Sequence, residues 1–228
     1  MKLHTTCAAI AATIAALAAA GSASAQDADF AFNVAGTTDY VFRGISQTNQ
    51  DPALSAGVDV TVGSFYVGAW ASNVDFGDST DAEIDLYGGY RTEVSGTAVD
   101  VGLVSYLYTN APGNVTYNYV EAKLALSRAI GPVTAGAAIY YSPNFFGADE
   151  QATYIEANAA FAVTDKLTIS GAIGEQFLDE TDDYLTYNIG AAYVLTSNVV
   201  ADVRYHDTDY DTGGIVNDRV VGTIKLLF

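Results

Sequence analysis

The sequence predicts an all-β fold, a transmembrane up-and-down antiparallel β-barrel of about 12 strands. Three observations carry this. Apolar and polar residues alternate with period 2 from residue 30 to the last residue, turn chemistry recurs between the alternating segments, and aromatic rings are sorted by depth on the apolar face.

Residues 1–25 are set aside. Lys2 precedes the apolar stretch "AAIAATIAALAAA" (8–20) and then "ASA" (23–25), the pattern of a secretory signal peptide cleaved after Ala25. That stretch is short for the roughly 20 residues a helical anchor needs. Residues 26–228 are then one barrel domain exported to the outer membrane. Cys7, the only cysteine, falls in the leader, so the mature chain brings no disulfide and no Cys metal site. Without Lys2, eight basic residues face 27 acidic ones, a net charge of −19, which argues against nucleic acid as a partner. No run of about 18 apolar residues follows the leader, so a helical membrane protein is excluded.

The alternating segments fall at 30–44, 53–62, 64–75, 82–92, 97–109, 116–128, 132–142, 151–163, 166–178, 184–195, 199–208 and 218–228. A tilted strand crosses a bilayer in about 9 to 11 residues, and these lengths match, the first being longer. Short turns such as "VGS" (62–64) and "TDK" (164–166) alternate with longer, often acidic loops such as "GISQTNQDPA" (44–53), "NAPGNVT" (110–116) and "TDYDTGGIVND" (208–218). Such alternation predicts that both termini are periplasmic.

On the apolar parity, the rings nearest the short turns are Phe30, Phe65, Tyr90, Phe161, Tyr193 and Phe228. Nearest the long loops they are Tyr40, Phe42, Tyr141, Phe177, Tyr187 and Tyr205. Aliphatic residues such as Val101, Leu103, Ile169 and Ile173 lie between. Two aromatic belts around an aliphatic band match the two bilayer interfaces, and a soluble core gives no reason to sort rings by depth. Phe228, a terminal aromatic after alternating apolar residues, resembles the signal read by outer-membrane barrel assembly machinery. That machinery, outer-membrane lipid and lipopolysaccharide are the expected partners. Glu175 shares parity with Ile173 and Phe177 and is expected above the membrane edge or beside a β-bulge.

The opposite parity is polar. Asp39, Asp59, Glu83, Asp85, Asp100 and Glu121 supply acids; Arg43, Arg204 and Arg219 supply bases; Tyr66, Trp70, Tyr87, Tyr106 and Tyr140 supply rings. Lipid exposure would cost Arg or Lys about 2 to 4 kcal/mol each at the midplane, so this parity faces the lumen. Twelve strands tilted by about 40° give a backbone diameter of roughly 24 Å, which side chains narrow. The acids come mainly from the second to sixth segments, and the three arginines meet where the last segment pairs with the first. That arrangement predicts a transverse field, with local pairing of Asp202 with Arg204 and of Glu121 with Lys123 as the competing reading.

"DYVFRGISQTNQDPALSAGVDV" (39–60), "SFYVGAWASNVDF" (64–76) and "EIDLYGGY" (83–90) resemble the proteobacterial Gcw_chp family, also called TorF-type porins. The resemblance is densest over 39–90; the family usually has Gly where Ser64 stands and another near Ala71, changes that leave the strands intact. It implies an outer-membrane barrel and brings no catalytic residues and no cofactor.

The expected function is a narrow passive channel for small polar solutes, not an enzyme, with a closed structural or adhesive barrel as the alternative. A hydrolase comes third: His206, the one histidine after the leader, has lumen parity near the loop rim, without a Ser-x-Gly-type turn or a second histidine. Asp207, Asp209, Asp211 and Asp218 stand at positions 1, 3, 5 and 12 of a calcium-loop spacing. Gly213 falls one place late and no Glu closes the loop, which makes this a weak calcium candidate.

Overall fold

The computed structural model describes residues 28–147, 150–210 and 213–228, so the leader assigned to residues 1–25 lies outside the described residues. β1 (Asp29–Thr37) is followed by two short strands, β2 (Val41–Phe42) and β3 (Ile45–Ser46). Then come β4 (Ala53–Val62), β5 (Phe65–Asn73), β6 (Ala82–Val94), β7 (Thr97–Thr109), β8 (Tyr119–Ile130) and β9 (Val133–Ser142). β10 (Ala152–Ala162), β11 (Leu167–Leu178), β12 (Tyr184–Thr196), β13 (Val199–Thr208) and β14 (Arg219–Leu227) complete the chain. Among the described residues, β1 and β4 to β14 form a closed barrel of twelve antiparallel strands.

Closure satisfies both sheet edges. The seam pairs β1 with β14 from Asn33↔Leu227 to Thr37↔Thr223. Beyond it, Phe32 N donates to Phe228 O at 3.1 Å and Phe228 N donates to Phe32 O at 2.9 Å. The last residue therefore belongs to the closure through its backbone while its ring points outward, 69% exposed.

All six rings assigned to the short-turn belt are exposed on the outer face, as are Val101, Leu103, Ile169 and Ile173 between the belts. At the long-loop end Tyr141, Phe177 and Tyr187 are exposed. There the tyrosine hydroxyls reach polar partners: Tyr141 donates to Gln151 at 2.6 Å and Tyr205 to Asp207 at 3.0 Å. A ring with one apolar side and one hydrogen-bonded tip suits a boundary between hydrocarbon and water.

One expectation is corrected and another is narrowed. The first segment is not one strand over 30–44. β1 ends at Thr37, and the chain turns into the barrel as the β2–β3 hairpin, paired Val41↔Ser46 and Phe42↔Ile45. Tyr40 and Phe42 consequently do not join the outer belt. The Tyr40 hydroxyl donates to Glu83 at 2.8 Å and its ring packs edge-on to Trp70; Phe42 packs edge-on to Tyr106. Of the two alternatives for Glu175, the bulge is the one not found: Glu175 lies in unbroken register opposite Ile155 and Leu185. No bulge accompanies it, so its position near the strand end is what keeps it from the middle of the apolar band.

The chemistry of the hairpin explains its path. Its two-residue turn, Arg43-Gly44, has φ of 45° and 82°, the sign a tight hairpin requires at both positions. Gly44 is doubly needed, since a Cβ there would also lie 3.0 Å from Thr208 Cβ on β13. At the base, the Asp39 carboxylate accepts from Ser46 Oγ at 2.6 Å, Thr48 Oγ1 at 2.9 Å and Arg219 at 2.8 Å, which ties the inward turn to β14.

Inward glycines give large rings room to lie along the wall rather than across the bore. A Cβ on Gly68 would come within 2.3 Å of the Tyr87 ring, and one on Gly174 within 2.3 Å of the Tyr154 hydroxyl.

Candidate functional site

The candidate site is the lumen, and the hairpin tip is its centre. Arg43 spans the bore: its guanidinium makes a two-pronged contact with Glu121 on β8, at 2.7 and 2.8 Å, and donates to Gln176 on β11 at 2.9 Å. It also lies over Tyr154, 4.3 Å from the ring centre, and over Tyr140 at 5.2 Å. Both charged side chains of this pair are withdrawn from solvent, 6% and 1% exposed, and Gln176 is fully buried. A planar guanidinium suits this place because it fills a carboxylate's two acceptors and stacks on rings at once. Tyr106 adds a donor to Glu121 at 3.1 Å and stacks on Tyr119 with ring centres 4.3 Å apart.

The remaining predicted lumen charges also sit inside, but mostly as local pairs. Arg204 pairs with Asp202 at 3.1 Å, as the local-pairing reading expects, and Arg219 pairs with Asp39 at 2.8 Å. Lys123 pairs not with Glu121 but with Asp100, at 2.9 Å. Asp100 also receives Arg91 at 3.1 Å and the Tyr66 hydroxyl at 2.7 Å, while Arg91 lies 3.8 Å over the Tyr66 ring. The predicted contiguous basic strip opposite the acids is therefore not formed. Arg43, carried on the hairpin, leaves the seam and joins the acidic wall, and the other two arginines each hold a carboxylate beside them.

Beneath the hairpin lies a cavity of about 590 Å³. Val41, Phe42, Arg43 and Gly44 border it, and Trp70, Tyr87, Asp59, Asp85, Lys225 and His206 contribute to its walls. Arg91 and Lys225, near the short-turn ends of β6 and β14, carry it toward that end of the barrel. Tyr87 donates to Asp59 at 2.8 Å. The cross-strand partners of His206 are Asn188 and Arg219, neither of them a nucleophile it could activate.

Above the hairpin, loop residues close on one another. Tyr117 stacks on Phe146 with ring centres 4.4 Å apart, and Phe76 meets both rings edge-on. In these loops the Thr80 backbone N–H, with help from the Tyr117 hydroxyl, holds the Asp78 carboxyl below its ordinary range, and hydrogen bonds from Thr109 and Asn110 do the same for Asp81. In the calcium-spaced loop, Asp207 accepts from Tyr187, Tyr205 and Thr208 N, Asp209 accepts from Leu185 N, and Asp218 accepts from Tyr205. These carboxylates serve as acceptors for the barrel rim; Asp211 lies outside the described residues.

Arg91 and the inward hairpin are what sequence reading missed. Arg91 has the lumen parity of Glu83, Asp85 and Tyr87, so its place was available from alternation alone. The hairpin's one local signal is Arg43-Gly44 between Val41-Phe42 and Ile45-Ser46.

A family model described as "Bacterial protein of unknown function (Gcw_chp)" matches residues 19–225. The chain belongs to the Gcw_chp family. No curated protein sequence gives a significant match. Among solved structures, this Gcw_chp barrel is similar to the KdgM porin, at 8% identity and a TM-score of 0.60 over 87% of this chain and 98% of that one. It is similar to the NanC porin at 10% identity and 0.60, over 86% and 98%. The COG4313 outer membrane channel from Pseudomonas putida F1 matches at 7% identity and 0.52, over 90% and 96%. At such identities the shared property is the fold. The Gcw_chp chain has the up-and-down barrel of these proteins, closed at twelve strands.

Proposed function

We propose that the protein spans the outer membrane and acts as a narrow passive channel for small polar solutes, with the β2–β3 hairpin as its constriction. The observation that carries this reading is the pairing of an apolar, ring-bordered exterior with a cavity of about 590 Å³ walled by charged and hydroxylated side chains. A barrel that served only as an anchor has no use for a cavity beside which Arg43, Arg91 and Lys123 are each held by carboxylates. In the same reading both termini face the periplasm, residues 1–25 are a cleaved export signal, and Phe228 is the residue that assembly machinery reads. The long loops, with their carboxylates, then face the cell exterior and its lipopolysaccharide.

The hairpin also favours a second reading, a closed structural barrel, because its tip is anchored on two walls. Conductance in planar bilayers separates the two. The purified protein is expected to give discrete steps, small beside those of wide porins; no steps above background would reject the channel and leave the closed barrel. Liposome swelling with sugars, amino acids and organic acids would then rank solutes.

A further inference from the structure

Charge is matched unevenly around the cavity. The bases Arg43, Arg91 and Lys123 are engaged with Glu121 and Asp100. Asp59, Asp85 and Glu156 border the same space, yet none of them forms an ion pair among the described residues. Among the described residues Asp59 accepts only from the Tyr87 hydroxyl, and Glu156 from Tyr154 and Asn158, all neutral donors. Asp85 is the extreme case: its Oδ1 atom is buried and accepts no hydrogen bond among the described residues. Glu83, two residues away on the same strand face, is almost wholly buried and takes the Tyr40 hydroxyl, so a second carboxylate without a base stands beside the first. Two carboxylates this close do not both stay charged unaided: either one keeps a proton, which it shares with the other, or a positive group comes between them.

The wall around Asp85 supplies the other half of a cation site. Its cross-strand partner is Trp70, and the Trp70 ring meets that of Tyr40 edge-on at 5.2 Å. Tyr87 follows on the same strand face, laid flat over Gly68. Electron-rich ring faces beside an unmatched carboxylate attract an ammonium group and offer an apolar surface to whatever body carries it. Lys225 is the one cavity lysine or arginine without an ion pair among the described residues; it stands on β14, two strands from β4 and Asp59 and three from β5 and Trp70.

We propose that the lumen wall formed by Asp85, Asp59, Trp70, Tyr40 and Tyr87 is a binding site for small organic cations, amines with a flat or aliphatic body. The proposal deepens the channel reading by naming the solute class, and it rests on that reading for its access route. Trp70 is the only tryptophan of the chain, so its emission reports the site without a label. The full chain, folded in detergent micelles, is titrated with phenethylammonium chloride, with phenethyl alcohol and with sodium phenylacetate at matched ionic strength. A saturable change with the ammonium compound is expected, with a Kd at least about tenfold below those of the other two, and Asp85→Asn is expected to raise that Kd by about tenfold. If Asp85→Asn does not fold, as judged by the heat-dependent gel mobility of a closed barrel, Asp59→Asn takes its place. Equal responses to the three compounds, or an unchanged Kd in the folded variant, would overturn the site. Binding is read here in micelles and conduction in bilayers, so a barrel that binds without conducting and one that conducts without binding give different results.

Discussion

Arg43→Ala is expected to enlarge the conductance several-fold and to lower the stability of the folded barrel by about 3 to 5 kcal/mol. Both effects have one origin. The guanidinium is the hairpin's hold on β8 and β11, through Glu121 and Gln176, so its removal frees the tip from two walls. It also leaves Glu121, 1% exposed, without its counter-charge, and breaking a buried pair from one side costs more than the pair is worth. Removing both charges separates the two contributions. Arg43→Met with Glu121→Met should recover much of the stability, because no lone charge stays buried, while conductance stays raised because the tip remains unanchored. Planar-bilayer recordings and urea unfolding in lipid vesicles measure the two. A stable single variant with unchanged conductance would show that the hairpin sits outside the conduction path.

Leu103→Arg is expected to destabilise the bilayer-inserted barrel by about 2 to 4 kcal/mol. Leu103 is the middle residue of β7 and 58% exposed on the outer face, where a guanidinium would have to be carried into hydrocarbon. Ala138→Lys makes the comparison. Ala138 faces inward on β9 directly opposite Glu156, which forms no ion pair among the described residues, so an ammonium there gains a partner. Its cost should stay below about 1 kcal/mol. Unfolding titrations of the two variants in vesicles test the assignment of faces; equal costs would contradict it.

The two faces were legible in the sequence because period-2 alternation is local and each inward or outward position follows from its neighbours. Phe30, Phe65 and Phe228 could be placed from parity and distance to a short turn alone. Tyr40 and Phe42 could not, because their alternation continues that of β1 while the chain itself has left the wall. What turns it is the grip of Asp39 on Ser46, Thr48 and Arg219, the last of them 180 residues away. Pairing choices were hidden for the same reason. Lys123 stands opposite Gly102, so Asp100 is a diagonal neighbour on the next strand, while Glu121 turns to an arginine no strand register could supply.

The lipid-facing exterior is tested most directly by nitroxide labels placed one at a time at residues 101, 103 and 104 of β7, in a chain carrying Cys7→Ser and reconstituted in vesicles. Collisions with dissolved oxygen should peak at 101 and 103, and collisions with a water-soluble nickel chelate should be favoured at 104. The opposite alternation, or none, would contradict the account.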